Sequence, residues 1–417
     1  SAMLGLALTA LLCGGDSAKE SPALIRQPLV GEVEPTQAIE VLAPIAQGLY
    51  VSDMDSSGIR RIFDLADSAL GRACLPRWTE AAERLADERP ADLGIRRLLI
   101  RLISRVGEAG VADLHEAATR FLDPASAAGF TVPNETTRAA PQRSVAIFGP
   151  AVTKAARVPL RTLLSGLHPQ LGRIAKPLDP SALGPEVDEL RSPELVTLCD
   201  ELRGALEAGP VGVVFARDPR RPVELIYSHP PVMLLDPDIM VLPTGQVRFL
   251  IGRALELVRS GALLLESEPI ERAQEILDSV AMLFGIPLPE GARAESSMVS
   301  RLQDRGFCPD LFDNQTMEAL QVAFFNHYRA PVALEGYLVE ERRVANRVGL
   351  LVGGDLCAGL EALAQEAHAR SGSDAPLDAA ARRRLVHMES EMREMLRFGT
   401  SALFNQLRRQ RTTLPRM

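Results

Sequence analysis

Lysine is almost missing from this chain: only Lys19, Lys154 and Lys176 stand among 46 basic residues. Such a bias points to a GC-rich bacterial genome rather than to any chemistry. Aromatic residues make up 4%, too few for a β-sandwich or barrel, whose strands favour aromatic and β-branched side chains. The five cysteines (Cys13, Cys74, Cys199, Cys308, Cys357) form no CxxC pair and are odd in number. That excludes a zinc finger or disulfide scaffold and points to a reducing, cytoplasmic setting. The longest uncharged run is residues 1–15, short of the roughly 20 apolar residues a membrane span needs. A positive field is lacking too, since the formal net charge is −8, and nucleic acid is therefore not an expected partner. No GxSxG elbow, Gly-Lys dipeptide or GxGxxG after a strand occurs, which removes the common hydrolase, P-loop and dinucleotide templates.

What remains is 417 residues that are 46% apolar and 24% charged, an ordinary globular composition. In the N-terminal half the apolar residues recur at helical spacing. Ile95, Leu98, Leu99, Leu102, Ile103 and Val106 form one stripe, with Arg96, Arg97, Arg101 and Arg105 expected towards water. Weaker patterns over 36–50, 57–71 and 76–88 suggest helix pairs stacked as a solenoid, without a strict repeat. Ser1-Ala2-Met3 looks like a cloning remnant, and a helix ending at Gly14-Gly15 points to a domain cut from a longer chain.

Residues 123–144 and 176–193 are rich in Pro, Gly, Ser and Thr and read as linkers, the second as the main domain boundary. Ser192 and Pro193 then open a helix. Short strands are expected around Val211–Phe215, Val223–Tyr227 and Val232–Leu235. A helix after Pro243 carries Val247, Leu250, Ile251, Ala254, Leu255 and Val258 on one face. One long helix is expected over about 377–409. The fold class is thus mainly α, comprising a helical, solenoid-like domain (1–190), an α+β domain with a small sheet (193–370) and a C-terminal helical extension (371–417).

The order strands, turn, then TGQVRFLIGRALELVRSGALLL resembles the active-site region of gluzincin zinc metallopeptidases of the HtpX and CAAX-prenyl-endopeptidase type. Their helix has the form ELRFVLGHELGHIKSGH. Residues 342–351 (RRVANRVGLL) look like that family's ExxADRxGLL segment, which supplies the third zinc ligand and a carboxylate that steadies a ligand histidine. The resemblance covers about 150 residues, from 193 to about 365, and implies a peptidase fold.

It also implies that the chemistry is gone. Zinc peptidases need two histidines one helical turn apart, a glutamate base between them and a third ligand. Here Arg253 and Leu257 occupy the histidine positions, Ala254 the base, Arg342 the third ligand and Asn346 the outer carboxylate. Arginine has no lone pair to give a metal, and leucine has no donor at all. No cofactor or metal is expected. Among the six histidines no two lie three to five residues apart; His115-Glu116 begins like HExxH but has Thr119 at the second ligand. His387 with Glu389 and Glu391 reads as a solvated helix face. Cys308 and Cys357, each open to pairing with a distant histidine as a nucleophile, read first as small buried residues.

The segment 394–410 (EMLRFGTSALFNQLRRQ) resembles the C-terminal portion of large repeat-containing bacterial proteins, chiefly from myxobacteria. The expected function is a non-catalytic scaffold with a pseudo-peptidase domain that binds protein partners. The alternatives are an enzyme with a site between domains, or a peripheral lipid- or membrane-binding protein using an emptied apolar groove.

Overall fold

The computed structural model describes residues 76, 79–127, 158–174, 183–187, 192–217, 219, 221–372 and 376–413. The patterns at 36–50 and 57–71, the helix ending at Gly14-Gly15 and most of the 123–144 linker lie outside them. The protein is mainly helical with a small mixed sheet.

The chain divides into two compact units. The first joins residues up to 133 with 363–406. It contains α1 (79–88), α2 (Leu93–Val106) and α3 (Ala109–Leu122). Asp92 caps α2 by accepting from the Ile95 amide at 3.0 Å, and Gly107, at φ 93°, ends it, as a left-handed cap residue does. The apolar stripe of α2 is buried except for Val106. Two of its arginines are buried as well, against expectation. Arg96 donates through Nε to the Pro90 carbonyl at 2.6 Å, and Arg97 lies 3.5 Å from Asp123, so each carries a polar partner inward.

The second unit joins 134–362 with 407–417. It contains α4 (Val158–Ile174), β1 (Leu183–Glu186), α5 (Pro193–Ala205), β2 (Gly212–Ala216), β3 (Val223–Ile226) and β4 (Val232–Leu235). Beyond the sheet come α6 (Thr244–Arg259), α7 (Leu263–Ser267), α8 (Ile270–Leu283), α9 (Ser296–Asp304), α10 (Asn314–Arg329) and α11 (Leu334–Gly353). Strand order is β1-β2-β4-β3. The β2–β4 pair is parallel, with Gly212 opposite Val232 and Phe215 opposite Leu235; the two outer pairs are antiparallel. A core of Leu195, Met233, Leu235, Ile251 and Val348 ties α5, the sheet, α6 and α11 together.

Two boundaries differ from the sequence division. The 176–193 segment is not a domain limit: its Leu183–Glu186 pairs with β2, placing α4 and β1 in the second unit. The C-terminal region is not one helix. After α12 (Leu356–Arg370) it runs as α13 (Ala379–Met388), α14 (Ser390–Gly399) and α15 (Ala402–Thr413), broken where Glu389 turns extended (ψ 116°) and again after Gly399. Nor is it an appendage, because the Arg382 guanidinium lies over the Phe121 ring at 5.9 Å and Arg397 reaches Asp87 at 3.3 Å.

Candidate functional site

The two segments that carry the family resemblance lie on α6 and α11, and these helices pack directly on each other. They run antiparallel. The backbone oxygen of Gly245 is 3.1 Å from where a Cβ would sit on Gly353, whereas Arg253 faces Gly349. Glycine permits this approach. A Cβ on Gly349 would lie 2.7 Å from the Phe249 carbonyl oxygen and 3.2 Å from the Arg253 Cβ; one on Gly252 would lie 2.2 Å from Val352 Cγ2. At the end of α6, Gly261 adopts φ 73°, and a Cβ there would meet the Leu164 backbone carbon of α4 at 2.4 Å. No side chain fits that space in that conformation.

Around these contacts the positions that hold zinc chemistry in the resembled family are filled otherwise. Ala254 is buried among Ile251, Leu255, Val344 and Val348. Leu257 packs on Ala345 and Ala262. Arg253 is half-buried beside Gly349, and Asn346 is buried in α11. The set does not fit zinc: it offers no imidazole, carboxylate or thiolate at any of these positions, and apolar packing fills the space between Leu257 and Ala345. Among the described residues no group of three histidine, cysteine or acidic side chains is arranged to hold a metal.

Arg342 forms a two-pronged pair with Glu266, Nε to Oε1 at 2.6 Å and Nη2 to Oε2 at 2.8 Å, so it ties α11 to α7. Glu256, the nearest acid in sequence to Arg253, is engaged elsewhere. Fully buried, it accepts from Arg161 Nη2 at 2.8 Å and from Arg259 Nε and Nη2 at 2.7 and 2.9 Å. Burial works against charge on Arg161, but the carboxylates of Glu256 and Glu341 outweigh it and raise its pKa. The result is a buried ionic knot joining α4 to α6. Further along α6, Arg248 donates to both oxygens of Glu201 at 3.3 Å and to the Val352 carbonyl at 3.2 Å.

The remaining histidines and cysteines are placed as structural groups. His115 is buried in α3, its pKa drawn down to about 3 by burial and then by Arg96; Thr119 donates its hydroxyl back to the His115 carbonyl at 2.9 Å. His387 is exposed. Cys199 is buried and its thiol pushed up to about 12, chiefly by burial, which leaves it a poor nucleophile. Cys308 and Cys357 are half-buried, not the buried residues expected.

One feature was not legible in the sequence. His168 of α4 sits edge-on to Tyr227 at 5.0 Å between ring centroids, and burial, then His229, lowers its pKa to about 4. Only the crossing of α4 over the end of β3, where Gly172 leaves room for the Ser228 carbonyl, brings the three residues together. Comparison with protein-family models, with curated proteins and with solved structures found no match.

Proposed function

We propose that the chain is a non-catalytic bacterial scaffold for protein partners, in which the second unit is a peptidase-derived domain with its zinc chemistry removed. One observation carries this reading. The two segments that resemble the gluzincin motifs lie about 100 residues apart in sequence, yet their helices meet antiparallel, with Gly252 and Gly349 at the closest approach. Flanking residues that match the family are those on which the helix contact depends. Residues that would do chemistry are the ones replaced. Catalysis at this place has no general base and no electrophile. A solenoid-like stacking in the first unit belongs to the same proposal. The odd number and wide spacing of the five cysteines support a reducing, cytoplasmic setting.

The rival readings, an enzyme using another site and a lipid-binding groove, have less behind them. Apolar packing of Leu257 on Ala345 and Ala262 fills the place where a groove was expected.

Rebuilding the zinc site tests the ancestry. A chain with Arg253→His, Ala254→Glu, Leu257→His and Arg342→Glu regains two imidazoles one turn apart, a base and a third ligand from the facing helix. Without metal it should melt below the parent, because it buries polar groups and loses the Arg342 pair with Glu266. Zinc should raise its melting temperature and leave the parent's unchanged. A folded variant indifferent to zinc would refute the shared-site argument.

A further inference from the structure

The outer face of α10 carries an exposed stripe of two apolar residues between two opposite charges. Glu318, Val322, Phe325 and Arg329 are spaced four, three and four residues apart, which places them in one stripe within about 60° of arc on a helix of 3.6 residues per turn. All four are exposed, Val322 at 55% and Phe325 at 61%. The opposite face, Leu320, Ala323, Phe324 and His327, is buried. Between Glu318 and Arg329 the helix carries no Asp, Glu, Lys or Arg, and the flanking Ala319, Gln321 and Asn326 are small or neutral. Among the described residues neither Glu318 nor Arg329 takes part in an ion pair.

We propose that α10 pairs antiparallel with α10 of a second copy of this chain. The stripe is symmetric about the level midway between Ala323 and Phe324. Laid antiparallel across a two-fold axis there, Val322 meets Phe325 of the second copy and Glu318 meets its Arg329, and each contact occurs twice, as an isologous interface requires. The four-three spacing is that of a coiled-coil seam, in which such residues interlock. A parallel pairing sets Glu318 against Glu318 and Arg329 against Arg329, and like charges then oppose it. Charge therefore selects both partner and direction. Sixteen residues span about 24 Å at 1.5 Å each, so the contact belongs to the small, dissociable class of interfaces rather than the obligate one. It stands on the surface of α10 alone and is independent of the peptidase ancestry.

Analytical ultracentrifugation of the full chain over a concentration series is the test. The parent should shift from monomer to dimer as concentration rises. Phe325→Glu should remain monomeric throughout. Glu318→Arg alone and Arg329→Glu alone should each weaken association at least about tenfold, because each sets like charges face to face. Mixing these two variants should restore dimers, as each supplies the charge the other lacks. Restoration also shows that both are folded. A parent that stays monomeric at about 0.5 mM, beyond the range where a weak specific contact is populated, would overturn the proposal. So would single charge reversals that leave association unchanged, or assembly beyond the dimer, which would place the contact on another surface.

Discussion

Helices α6 and α10 are each sixteen residues long, yet α6 buries twelve of its residues and α10 only four. The sequences differ less than the outcomes. Both carry apolar residues at helical spacing and both pack a face on the second unit's core. What separates them is where glycine lies. Gly245 and Gly252 of α6 answer Gly349 and Gly353 of α11, so the two backbones close on each other and the side chains around them are enclosed. On α10 no glycine occurs, and one face remains open. A helix becomes interior by how near its neighbour can come, beyond how apolar it is.

That contrast predicts intolerance on α6 and tolerance on α10. The largest loss is expected for Glu256→Ala, which strands Arg161 and Arg259 in a buried setting; removing one partner of such a cluster costs about 3–5 kcal/mol. Urea denaturation measures it, and a cost below that of an exposed pair would show that the knot is ornamental. Next comes Gly349→Ala. The added methyl must push back the Phe249 carbonyl, an overpacking cost of about 1–3 kcal/mol, larger than what helix propensity returns. A stabilised variant would mean that the helices part without penalty.

A smaller effect depends on pH. The folded state lowers the pKa of His168 from 6.5 to about 4, so the unfolded chain binds the proton first. Its contribution to stability is whole above pH 6.5 and falls as the pH drops towards 4. Replacing His168 with Phe should lessen the slope of the stability profile in that window, the remainder coming from His115, whose pKa is lowered further, and a profile of unchanged slope would assign the acid response to other groups. Arg342→Ala should cost no more than about 1 kcal/mol, since its pair with Glu266 is partly solvated. Smallest of all, Phe325→Ala on α10 should change monomer stability by less than about 0.5 kcal/mol, while abolishing self-association.

Periodicity was enough to place α2, α5 and α6, because each has a core face that repeats at 3.6 residues, and short apolar, Val-rich runs bounded by Asp and Pro marked β2 to β4. It failed at β1, where LGPE has neither alternation nor β-branched residues and strand structure comes from pairing with β2. The C-terminal helices were joined too freely, since Glu389 gives no sign of the extended turn it makes. The resemblance implied that the two motif segments meet at one site, and their helices do pack on each other. It did not anticipate the partners of Arg342 and Glu256, because Glu266 and Arg161 are set by tertiary contact and lie 76 and 95 residues away. Arginines of α2 misled as well: a charge is placed outside by default and moves inside only when a polar group receives it.

The first unit is interrupted in sequence. Its opening helices end at Leu122, and the Arg382 that covers Phe121 comes from α13, which begins at Ala379. During synthesis at roughly 5–20 residues per second, that separation holds the early helices on the ribosome for roughly 13 to 50 seconds before their closing elements exist. The second unit, whose described elements from Val158 to Gly353 all lie within that interval, emerges first as a nearly complete body. Nascent chains should therefore acquire protease resistance in the middle before they acquire it near the start, and a premature stop after the second unit would leave the first one permanently unfinished.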